Sequence, residues 1–244
     1  MLKFLTPKIF LSLSLKILPY LVIIFILTFS YGIYLSFFVS PIDYQQGELV
    51  RIMYIHVPSA WLSLIIYTFI AFCSFGSIVW QVKILYIVAV SAAPIGCCFA
   101  AITLITGSIW GQPAWGTWWV WDARLTSMLI LFMLYLSYII VVNAGDNILR
   151  CEKPASVISL IGAINIPVVK FSVDIWSTLH QPASVFRFDG STIHISMLKP
   201  LIMMFISFLF YFILVIIFRI NVLFFKIKSY NSINLGNIDD ICGN

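Results

Sequence analysis

Two histidines, one arginine and a block of tryptophans are the residues whose chemistry asks for a partner. His56 stands in RIMYIHVPSAW and His180 in DIWSTLHQPAS. Histidine is the commonest metal ligand, and a neutral imidazole can bind without burying a charge. Residues 115–127 read WGTWWVWDARLTS, so Trp115, Trp118, Trp119 and Trp121 fall within seven residues and Asp122-Ala123-Arg124 follows at once. Indoles offer flat apolar faces with one polar N–H. Asp122 precedes an apolar run and fits an N-cap, which gives it a local task. Arg124 is harder to place, because a cation at a helix start opposes the dipole there. It calls for an anion, either Asp122 or a carboxylate held bidentately. The third histidine, His194 in STIHISM, has no such surroundings.

The elements that must carry these residues are set by composition. Of 244 residues, 62% are hydrophobic and 9% charged, against roughly half and about a quarter in a soluble domain. The solvent for such a chain is a bilayer. A span takes about 20 mainly apolar residues, and six runs qualify: 17–39, 58–80, 84–106, 125–143, 155–173 and 200–220. The fold class is therefore an all-α integral membrane protein, a bundle of six transmembrane helices joined by short loops. The fifth run is interrupted by Asn165, Pro167 and Lys170, which predicts a kink or an early end. The first run is too long for the core of a cleaved signal peptide and reads as a retained span. Residues 1–228 form one membrane domain, and 229–244 read as a short, loose polar tail.

Lys and Arg set the orientation. Lys3, Lys8, Lys16, Lys83, Arg150, Lys153, Arg219, Lys226 and Lys228 collect on one side, against Arg51, Arg124, Lys170, Arg187 and Lys199 on the other. Both termini are expected to be cytoplasmic. The net charge of +5 follows from this bias and gives no reason to expect nucleic-acid binding. Cys73, Cys97, Cys98, Cys151 and Cys242 form no C-x-x-C and avoid the outer loops, which argues against a disulfide framework.

With six spans, the first, third and fifth loops share the outer face. All three histidines gather there, with seven of the eight tryptophans. An interfacial aromatic belt would scatter the tryptophans over several helices, whereas five lie between Trp110 and Trp121. A helical segment would put Trp115, Trp118 and Trp119 on one face. An extended one would pair Trp119 with Trp121. Gly111, Pro113 and Gly116 favour a loop. Pro58 fits the first helical position of the second span, which puts His56 just before the helix, at the membrane edge. A flat apolar object with a metal at its centre and carboxylates on one edge is haem. The indoles would face the ring, His56 and His180 the iron, and Arg124 a propionate.

WGTWWVWDARLTS also resembles the tryptophan-rich signature of haem-handling membrane proteins. RIMYIHVPSAW and WSTLHQPAS resemble the two histidine segments of one family among them, haem exporter protein C of the cytochrome c maturation system. The likeness runs over nearly all of the six-span length. The resemblance implies that haem b is collected transiently at the outer face of the inner membrane, with His56 and His180 as its axial ligands. It places Trp115, Trp118, Trp119, Trp121 and Asp122 in the haem platform and chaperone-docking motif. It implies delivery to a periplasmic haem chaperone (protein E of the system) and work beside an ABC-type complex. The role is binding and transfer rather than catalysis. A bacterial inner membrane is favoured over a mitochondrial one.

Three other functions compete. A cytochrome c haem lyase shares the tryptophan motif but is larger and carries more histidines. A membrane electron carrier needs histidine pairs within spans, and the expected spans hold none. A transporter would show broken helices and midplane polar groups, for which Pro94 and Asn165-Pro167 are weak signs. Lipid is a partner in every case. No G-x-x-x-x-G-K-[ST] loop occurs, so ATP use would belong to partners.

Overall fold

The computed structural model describes residues 7–145, 147–176, 178–181, 185, 190 and 192–242, with side chains described between Ile9 and Ser229. Lys3 and Arg187 of the charge count lie outside the described residues. Seven α-helices follow one another: α1 Pro7–Tyr34, α2 Met53–Trp80, α3 Lys83–Trp115, α4 Ala123–Asn143, α5 Glu152–Gly162, α6 Asn165–Ile175 and α7 Ile195–Cys242. Six segments are long and apolar enough to cross a membrane, the fifth being residues 148–175, which hold both α5 and α6. No strand occurs among the described residues; Asp43 and Gly47 form one isolated bridge.

The core lies between α2, α3 and α4, around Leu62, Ile66, Tyr67, Tyr86, Leu131 and Tyr135. Small residues set the approach of the helices. A Cβ on Gly96 would lie 2.2 Å from the Tyr135 hydroxyl, and one on Gly162 2.0 Å from that of Tyr67. The Tyr135 hydroxyl in turn donates to the Ser63 carbonyl of α2 at 2.7 Å. In lipid, tight packing and such bonds replace the hydrophobic drive that water would supply. Helix α1 packs mainly on α7 and leaves most of its apolar surface exposed, which suits a lipid-facing helix.

Several helices run past their expected ends. Helix α2 begins at Met53, led in by a 3-10 turn over Glu48–Ile52. Pro58 is therefore inside α2 rather than at its first position, and His56 is on the helix rather than before it. Pro58 is only the sixth residue, so its missing N–H falls close to the first turn, where Pro is tolerated. Helix α3 continues nine residues beyond Thr106, through Gly111 and Pro113, and stops at Gly116. There a positive φ of 74° and an N–H bonded to the Gln112 carbonyl at 2.9 Å end the helix. At about 1.5 Å per residue, the extra turns lift Trp110 and Trp115 above the rest of the bundle. Helix α7 runs to Cys242, so the polar stretch from Ser229 is helical where a loose tail was expected.

The expected fault in the fifth span is a break. At Ala163–Ile164 the backbone tightens to i→i+3 bonds, Ile164 N–H to Ile161 and Ile166 N–H to Ala163. Pro167 supplies no N–H to the Ala163 carbonyl, which explains the fault. The Asn165 amide donates to the Ser127 carbonyl of α4 at 2.8 Å, tying the break to its neighbour.

Candidate functional site

A cavity of about 250 Å³ lies at the tryptophan end of the bundle. Its walls come from α2 (His56), α3 (Gly107, Trp115), α4 (Arg124), α6 (Lys170) and the connection before α7 (His180). Most of the remaining lining is apolar, with Leu64, Leu104 and Met128 among it. Five elements of the fold thus meet around one space.

His56 is buried, and one edge of its ring rests on α3. A Cβ on Gly107 would come within 3.0 Å of the imidazole Cε1, so glycine there lets the ring lie against the helix. Its Nδ1 is 3.0 Å from the Thr106 hydroxyl. Trp110 meets the ring edge-on, with centroids 5.7 Å apart, and its Nε1 donates to the Gln46 side-chain oxygen at 3.0 Å. One indole, one hydroxyl and a glycine thereby surround the ring before any ligand arrives.

His180 approaches from the opposite wall. The His56 and His180 rings are 6.4 Å apart, centroid to centroid, and tilted by 32°. The His180 Nδ1 lies 2.9 Å from the Gln181 carbonyl, which only accepts, so Nδ1 carries the proton and Nε2 keeps its lone pair. Burial pushes this imidazole below its ordinary pKa and Arg124 adds to that, while the Gln181 carbonyl and Asp122 pull the other way. The net effect favours the neutral, ligating form.

The tryptophan block divides in two. Trp115, the last residue of α3, is 6.4 Å from His180 and lines the cavity with Trp119. Trp118 and Trp121 point away, 61% and 76% exposed. Trp119 and Trp121 meet edge-on at 5.5 Å in the non-helical stretch after Gly116, as the extended reading expected. The single platform drawn from sequence is therefore a cavity wall and an outward face.

Asp122 caps α4: its Oδ1 accepts from the Leu125 N–H at 2.8 Å. Its Oδ2 is buried without a partner, and so is the Nε1–H of Trp119. A buried acceptor and a buried donor left open beside a cavity are costly unless something fills them. Arg124 makes no ion pair with Asp122. Its Nε donates to the Ser172 hydroxyl at 3.2 Å and its Nη2 to the Lys170 carbonyl at 3.3 Å, and the residue lines the cavity. Among the described residues the one ion pair within 4 Å is Arg51–Glu48. His194 stays outside the cavity, where its Nδ1 accepts from the Ser196 N–H at 3.3 Å at the start of α7.

Sequence reasoning missed Thr106, Gly107, Trp110 and Lys170. Thr106 and Gly107 lie four and three residues before Trp110 on α3, a pattern visible in the sequence once the helix is allowed to run beyond residue 106. Lys170 was read as an interruption of a span and as one of the outer-side cations, and from α6 it lines the cavity.

The sequence profile described as heme exporter protein C matches residues 1–232. The chain belongs to that family. The chain is 48% identical over 202 residues to heme exporter protein C of Bradyrhizobium diazoefficiens, covering 83% of this chain and 76% of the relative. It is 49% identical over 179 residues to a putative cytochrome c biosynthesis ccmC-like mitochondrial protein of Marchantia polymorpha, covering 73% and 75%. To heme exporter protein C of Escherichia coli it is 44% identical over 164 residues, 67% of each chain. Bacterial and mitochondrial relatives thus share this six-span family.

Proposed function

We propose that the chain binds haem at the outer face of the inner membrane and passes it to a haem chaperone during c-type cytochrome maturation. The observation that carries this is the His56–His180 pair, 6.4 Å apart across an indole-walled cavity. With a metal–nitrogen bond of about 2.0–2.1 Å and the ring centre roughly 1.1 Å behind the nitrogen, two axial imidazoles place their centroids about 6.3 Å apart. A structural zinc site would need four protein ligands, and no three of His, Cys, Asp or Glu converge among the described residues. Two histidines in a largely apolar, indole-walled cavity suit haem, which brings its own four equatorial nitrogens.

The remaining residues take consistent roles. Arg124 and the nearby Lys170 are two cations for two propionates. The open Trp119 N–H and Asp122 Oδ2 offer one donor and one acceptor at the rim. Trp118 and Trp121 present an apolar outward face to the chaperone. Both termini are cytoplasmic, and an ABC-type partner supplies any nucleotide chemistry. The name of the family, heme exporter protein C, and that of the Marchantia relative, a putative cytochrome c biosynthesis ccmC-like mitochondrial protein, agree with this reading.

The test is the optical spectrum of the detergent-purified protein from haem-replete cells. Wild type is expected to show a bis-histidine haem spectrum, altered or lost in His56→Ala and His180→Ala and kept in His194→Ala. A folded wild-type protein that carries no haem and cannot be reconstituted would overturn the proposal.

A further inference from the structure

We infer that Thr106 is a positioning residue for the haem site, setting the tautomer of His56 so that Nε2 is the ligating nitrogen. The inference rests on the assignment of His56 as an axial ligand and goes beyond it to what prepares the ring.

An imidazole has two nitrogens, and only the one without a proton can bind a metal. For His180 the choice is fixed by the Gln181 carbonyl, an obligate acceptor. For His56 the neighbour is a hydroxyl, which can act either way. The hydroxyl's own proton settles the matter. Thr106 Oγ1 lies 2.6 Å from the Ile102 carbonyl one turn back, and that bond takes its single hydrogen. Toward His56 it can only accept, so Nδ1 carries the proton. The chain Nδ1–H to Oγ1, then O–H to the helix carbonyl, leaves Nε2 with its lone pair.

Gly107 completes the device. With the imidazole Cε1 3.0 Å and Nδ1 3.6 Å from where a Cβ would stand, glycine lets the hydrogen-bonded edge of His56 lie close against α3. Each histidine of the pair therefore has its own Nδ1 acceptor: a backbone carbonyl from a loop for His180, a side chain on a helix for His56. Metal-ligating histidines ordinarily donate their second N–H in this way, which fixes orientation and raises ligand basicity, and losing such a partner typically costs 10–100-fold in metal affinity.

The experiment compares full-length Thr106→Val, Thr106→Ser and His56→Ala with wild type in detergent, reading the haem reduction potential and the rate of haem loss to an apo-globin acceptor. Valine keeps the shape and removes the acceptor; serine keeps the hydroxyl. Thr106→Val is expected to lose haem about tenfold faster or more and to shift the potential upward, because a less basic ligand favours ferric iron less. Thr106→Ser is expected to stay near wild type, which mere packing of the threonine methyl would not produce. A Thr106→Val protein with unchanged potential and haem loss, alongside a His56→Ala protein that has lost its spectrum, would overturn the role of Thr106 and leave the ligand standing. An unchanged spectrum in His56→Ala would remove the ligand assignment and this inference with it.

Discussion

One carboxylate oxygen of Asp122 caps α4 through the Leu125 N–H at 2.8 Å, while the other is buried with no partner. One side chain thereby holds a structural bond and an open acceptor, and the two can be separated. Asp122→Asn keeps a capping oxygen and removes the charge; Asp122→Ala removes both. We expect the alanine variant to lose about 1 kcal/mol of stability and the asparagine variant to unfold near wild type in a thermal melt. Both are expected to lower the yield of haem-loaded chaperone. Normal loading in Asp122→Asn would assign Asp122 to capping alone.

Arg124 is a half-buried cation with no ion pair within 4 Å among the described residues, held by a hydroxyl and a carbonyl, and it lines the cavity. A charged hydrogen bond is worth about 1.5–3 kcal/mol, so Arg124→Met is expected to weaken haem binding by about tenfold or more. Haem dimethyl ester, whose carboxylates are masked, supplies the control in a titration. Wild type should prefer haem over its ester, and Arg124→Met should discriminate less. Equal preference in both proteins would move the propionates elsewhere in the cavity.

The tryptophan block is expected to divide functionally as it divides in space. Trp115→Ala and Trp119→Ala remove cavity wall and should speed haem loss from the purified protein. Trp118→Ala and Trp121→Ala remove exposed rings and should keep haem while reducing its transfer. The comparison needs two assays on each variant, haem content and chaperone loading. If all four lose haem alike, the block acts as one platform, as the sequence alone had suggested.

Much of this architecture was legible because bilayer solvent leaves few options. Six apolar runs, the cap at Asp122 and the fault before Pro167 follow from length, capping chemistry and the missing proline N–H. What could not be read was how far the helices extend beyond the membrane. Gly111 and Pro113 weaken a helix in isolation, and local propensity alone breaks α3 near residue 110. In the fold, Gly111 makes room for the Trp115 ring, which a Cβ would approach to 2.9 Å, and packing outweighs propensity. That misreading hid Gly107 and Trp110 as the continuation of the helix that carries Thr106, and a separate one, Pro58 taken as the first helical position, placed His56 before α2 instead of on it. Its depth weakens the argument that separated an electron carrier by histidine-free spans, although His180 still sits in a connection at the end of the bundle. The pairing of His56 with His180 rested on resemblance and shared sidedness, since nothing in a sequence carries a distance.

Gly96 and Gly162 test whether the frame beneath the site is as close-packed as the contacts indicate. Each faces a buried tyrosine hydroxyl at a distance no Cβ could share, 2.2 Å to Tyr135 and 2.0 Å to Tyr67. The two tyrosines also meet edge-on at 4.9 Å, so neither can retreat without moving the other. Overpacking of this kind costs about 1–3 kcal/mol, and Gly96→Ala and Gly162→Ala are each expected to lower the melting temperature measured in detergent. Pairing Gly96→Ala with Tyr135→Phe removes only the hydroxyl and leaves ring carbons that a Cβ would meet at 2.4 and 2.5 Å, so it is not expected to recover the loss, and Phe also gives up the bond to the Ser63 carbonyl. Because both glycines lie below the cavity rather than in its wall, the fraction that stays folded should keep a wild-type haem spectrum. A Gly96→Ala protein as stable as wild type would mean that α3 and α4 stand further apart than these contacts require.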